Sequence, residues 1–112
     1  MTTIWKHPSN LMGKHSRDKG RRYENEVVGW LNANGHPATR ISAMYQPGPD
    51  VVAFDSRFIE CRRRAANYQS LNTIRQELDG DASLYFTRLD GEPGDHLVTM
   101  WASTLMDMLH NE

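Results

Sequence analysis

Glu60 and Arg62 flank Cys61 and lie downstream of Gly48-Pro49-Asp50. Two acids converging across a hairpin, with a cation beside the second, carry the chemistry of a divalent-cation phosphodiesterase. Their hard carboxylate oxygens can hold an ion that polarises a phosphate and acidifies a bound water, while the neighbouring cation offsets charge building at phosphorus. Strand register decides whether the acids meet. A two-residue turn at Asp55-Ser56 pairs Phe54 with Arg57 and sends Asp50 and Glu60 to opposite faces. A three-residue turn or a bulge pairs Val52 with Glu60 and gathers Asp50, Glu60 and Arg62 on one face. The plainer alternative also stands. Asp50 can cap a turn, and Glu60, inside the otherwise apolar Phe58-Ile59-Glu60-Cys61, can be held by Arg62 as a structural ion pair.

The elements that must position these residues follow from periodicity. Residues 1–17, broken by Pro8, Ser9, Asn10 and Gly13, read as a flexible arm preceding a single domain over 18–112. From Asp18 a helix carries Tyr23, Val27, Trp30 and Leu31 on one stripe and stops at Asn34-Gly35. Glu24 lies on the border of that stripe, where it can look into a site at the edge of the core. Strands are expected at Ala38–Ser42, Val51–Phe54, Phe58–Cys61, Ser83–Phe86 and His96–Met100. A helix through Leu71, Ile74 and Leu78 separates the third strand from the fourth. A last helix has Trp101, Leu105, Met108 and Leu109 on its apolar side. The order αβββαββα predicts an α/β fold, with a mixed central sheet of about five strands flanked by helices.

Composition is that of one ordinary globular domain: 112 residues, 38% hydrophobic and 24% charged, too short for two cores. The N-terminus is mixed and polar and no long apolar run occurs, so a cytoplasmic protein without a membrane contact is expected. Cys61 is the only cysteine, which excludes an internal disulfide and a cysteine-based zinc site within one chain. The five histidines lack metal-ligand spacing. The net charge of −1 conceals a division: residues 1–66 hold eleven Lys/Arg against six Asp/Glu, and residues 67–112 hold two against eight. Such asymmetry suggests one face for a polyanion. Lys14, Arg17, Lys19, Arg21, Arg22, Arg63 and Arg64 are the candidates for sequence-independent phosphate contacts.

Lys19-Gly20-Arg21-Arg22-Tyr23-Glu24, Gly48-Pro49-Asp50 and Glu60-Cys61-Arg62 together resemble the PD-(D/E)XK nuclease superfamily, and within it the archaeal and phage type of Holliday junction resolvase. The resemblance implies a restriction-endonuclease-like core and a homodimer that cuts branched or four-way DNA with Mg²⁺, or Mn²⁺, in a prokaryotic or phage-infected cell. Carried over by position, Glu24, Asp50, Glu60 and Arg62 are the catalytic residues. Asp50, Glu60 and the Cys61 backbone carbonyl are the metal ligands, with the Cys61 thiol turned into the core. Arg62 stands where the family carries Lys, and Asn25 where resolvases carry Arg after the helix Glu. Arg keeps the charge but stays protonated and cannot accept a proton from water. The alternative implied by Arg62 is a catalytically impaired DNA-binding protein on the same scaffold.

Overall fold

Eight elements follow one another in the expected order: α1 (Lys6–Ala33), β1 (Ala38–Arg40), β2 (Val51–Ala53), β3 (Arg57–Arg64), α2 (Leu71–Leu78), β4 (Leu84–Leu89), β5 (Leu97–Thr99) and α3 (Ala102–His110). This computed structural model describes residues 6–41, 49–80, 82–92 and 94–110, with side chains from Asp18 onward. The strands form one mixed sheet in sequential order, parallel only between β3 and β4, where α2 makes the crossover. The fold is therefore α/β, with helices against the sheet as the pattern implies.

α1 begins at Lys6 rather than Asp18, so residues expected as an irregular arm are helical from Lys6. Pro8 falls in the first turn, where a backbone N–H would have no helical partner, so it costs little there. Ser9, Asn10 and Gly13 each carry a penalty of roughly 1 kcal/mol or less, which a helix of this length absorbs. The helix stops where expected. Gly35 has φ 85°, the Gly35 N–H donates to the Asn32 carbonyl, and the His36 N–H donates to the Leu31 carbonyl, the paired bonds of a left-handed helix end. Asn32 then donates to the Ala38 carbonyl and accepts from its N–H, which ties the helix end to β1.

Alternation along β3 sorts the two faces. Ile59 and Cys61 join Tyr23, Val27 and Leu31 of α1, Val51 and Ala53 of β2, and Leu84 and Phe86 of β4 in the main core. Cys61 is thus turned into the core, as the resemblance implies. The opposite face carries Glu60 and Arg62. Tyr85, in register with Glu60, packs with Ile74 and Leu78 of α2 in a second cluster. Leu71, within α2 as expected, is 76% exposed, being the first helical residue after the Ser70 cap.

α3 forms as expected but is little covered. None of its residues is buried: Leu105, Met106 and Leu109 are exposed, as is Trp101 before it, and only Met108 packs on the core edge. Trp30, on the predicted α1 stripe, is also exposed, although its ring meets Phe86 and His96 edge-on. Among the described residues no helix is long and apolar enough to cross a membrane.

Candidate active site

The hairpin turn sets the register. Phe54, Asp55 and Ser56 have φ of 51°, 59° and 75°, a three-residue turn in the left-handed region that side chains other than glycine seldom occupy. Ala53 therefore pairs with Arg57, Val52 with Phe58 and Val51 with Ile59. The expected partner of Val52 was Glu60, so the register differs by two residues. A shift of two preserves the face, and the paired register ends at Val51 and Ile59, one residue short of Asp50.

At Asp50 the ladder changes character. Its N–H donates to the Ile59 carbonyl at 3.0 Å, and the Asp50 carboxylate, through Oδ2, accepts the Cys61 N–H at 2.8 Å. A side chain thus replaces a carbonyl as partner of a β3 donor, and Asp50 is held in the seam between β2 and β3. Glu60 is 5% exposed, and burial pushes its carboxyl up to about 8, with Arg62 opposing the rise and Asp50 adding to it.

Arg62 is the centre of the arrangement. Its Nη1 donates to Asp50 Oδ2 at 3.2 Å and to the Cys61 carbonyl at 3.0 Å, and it also rests against Glu60 Oε1. The last contact is one of proximity, because Glu60 Oε1 has no aligned hydrogen-bond partner among the described residues. The three oxygens expected as metal ligands therefore converge on one point, and a guanidinium nitrogen stands there. Burial lowers the Arg62 pKa, but the surrounding groups, Glu60 and Asp50 foremost, together raise it, so its net shift is upward.

This donor set suits a hard cation. Mg²⁺ is commonly held by one or two carboxylates with waters and a substrate phosphate completing its shell. Two carboxylates and a carbonyl meet that need, and Glu60 Oε1 is a buried oxygen with no aligned hydrogen bond, its nearest cation being Arg62. The oxygens stand at hydrogen-bond distance from Nη1, wider than a Mg²⁺ shell of about 2.1 Å. Among the described residues, no three His, Cys, Asp or Glu side chains cluster as a metal site by themselves.

Glu24 lies nearby without joining the convergence. Burial raises its pKa and Asp50 adds to the rise, but its Oε1 accepts from Arg40 Nε at 3.2 Å. Arg40 was missed in the sequence: β1 offers only three residues, too few for alternation to show which side chain meets the helix. Glu77 was missed as well, and raises both the Glu60 and the Arg62 pKa. Its signal was legible, since it falls three residues after Ile74 on the sheet-facing side of α2.

The basic residues divide. Arg63 and Arg88 are side by side in the parallel β3–β4 register, a like-charge pair that costs stability unless offset. Glu26 offsets it by accepting from Arg63 at 3.3 Å and Arg88 at 3.0 Å, and Asp90 accepts from Arg63 at 2.9 Å. Lys19 also pairs with Asp90. Arg64 donates to the Asn67 carbonyl, while Arg21 and Arg22 are exposed. The Lys14 and Arg17 side chains lie outside the described residues. Comparison of the chain with protein-family models, with curated proteins and with solved structures finds no match.

Proposed function

We propose that this chain is a divalent-cation-dependent DNA endonuclease of the PD-(D/E)XK type that hydrolyses phosphodiester bonds in branched DNA, as Holliday junction resolvases do. One observation carries the reading: Asp50 Oδ2, Glu60 Oε1 and the Cys61 carbonyl converge on one cationic point at Arg62 Nη1. Mg²⁺ or Mn²⁺, when bound, supplies a polarised phosphate and an acidified water. Asp50 and Glu60 would hold the ion, with the Cys61 carbonyl beside them. Glu24, at the margin, orients water. Arg62 turns its fork to the phosphate and offsets the charge developing there, acting as a clamp because it cannot take a proton. Exposed Arg21 and Arg22 supply backbone contacts. Resolving a junction takes two symmetry-related cuts, which a homodimer provides, and the exposed apolar side of α3 supports such pairing.

A second reading is favoured by the same nitrogen. If Arg62 never leaves the oxygens, the ion is excluded and the chain binds DNA without cutting it. Asp50→Ala and Glu60→Ala separate the readings. On the first, each abolishes Mg²⁺-dependent cutting of a four-way junction by the purified protein and leaves junction binding within a few fold of wild type. Undiminished cutting by either variant removes the assigned roles, and a wild type that binds but never cuts establishes the second reading.

A further inference from the structure

The proposed endonuclease site has a cation of its own at the point a metal would take, and this determines how it loads. Arg62 Nη1 takes the Cys61 carbonyl at 3.0 Å and Asp50 Oδ2 at 3.2 Å, and touches Glu60 Oε1. A metal ion needs the same three oxygens, so guanidinium and metal are mutually exclusive there. The Arg62 side chain is 41% exposed whereas that of Glu60 is 6% exposed. The arginine therefore has a path to solvent, while the carboxylate stays in place.

Resting on that reading of the site, we infer that Arg62 is a resident lock on the metal site, a competing internal cation that must swing out before a divalent ion can enter. The chemistry that draws it out is a phosphate, whose oxygens match the guanidinium fork. Metal loading is thereby coupled to nucleic acid, and the free protein carries little metal. The lock acts as a tax on affinity. If the open position holds about one tenth of the population, the apparent dissociation constant is weakened about tenfold.

The test is titration of Mn²⁺ alone into the DNA-free protein by calorimetry, for wild type and Arg62→Gln. About tenfold tighter binding by R62Q is expected. Equal affinities overturn the lock while leaving the metal site intact. Absence of Mn²⁺ binding by R62Q removes the metal site, and with it both the lock and the endonuclease reading. A second measurement needs no variant. In wild type the Arg62 Nε–H resonance, followed by NMR during a Mg²⁺ titration, is expected to move along the binding isotherm. Metal binding that leaves this resonance in place overturns the lock.

Discussion

Asp50 is fastened to the strand opposite it by the bond from the Cys61 N–H to its carboxylate at 2.8 Å. The residue proposed as first metal ligand is thus also a structural acceptor, standing in for a ladder carbonyl. Removing it orphans a backbone donor beside a buried side chain, which costs about 1–3 kcal/mol. Asp50→Ala is expected to lose stability in that range by urea denaturation. Asp50→Asn, whose amide oxygen can still accept, is expected to lose distinctly less.

Glu60 makes stability depend on pH. Burial raises its carboxyl from the ordinary 4.5 to about 8 despite the attraction of Arg62. Below 4.5 both folded and unfolded chains hold the proton; between 4.5 and 8 the fold still holds a proton that the unfolded chain has released. This stabilising contribution is complete below the lower value and is lost as pH rises through the upper one. Thermal denaturation from pH 5 to pH 8 is expected to show wild type losing stability relative to Glu60→Gln. A difference that does not change across the window contradicts the buried, dehydrated Glu60.

Basic residues are expected to differ in their use. Arg63 is engaged by Glu26 and Asp90, whereas Arg21 and Arg22 are exposed. If Arg21 and Arg22 contact phosphates, Arg21→Ala and Arg22→Ala each weaken DNA binding across sequences and lower the salt slope by about one. Arg63→Ala is expected to leave the slope unchanged and to cost stability instead. Binding isotherms at several salt concentrations give both quantities.

Much of this architecture was legible in the sequence, and the misses have physical causes. The α1 stripe of Tyr23, Val27 and Leu31 and its Asn34-Gly35 stop follow from helical period and backbone freedom, which act locally. The start of α1 was missed because Pro8 reads as a breaker unless its place in the first turn is known. The shared face of Asp50, Glu60 and Arg62 depends on parity, so it was open to argument from turn length. The pairing itself depends on Phe54 accepting φ 51°, a conformation that its side chain gives no reason to expect. Arg40 against Glu24 joins a helix to the next strand 16 residues on, a contact no helical or strand period encodes. The exposure of α3 likewise follows from what packs against it, not from its own period.

The most direct test of the cation site is cleavage of four-way junction DNA by the purified wild-type protein and by Arg62→Lys, with Mn²⁺, with Mg²⁺ and with chelator. Cutting by wild type with either metal, abolished by chelator and retained or increased in R62K, is the predicted result. Junction DNA left intact by both proteins under both metals, or cut equally well in chelator, contradicts the account.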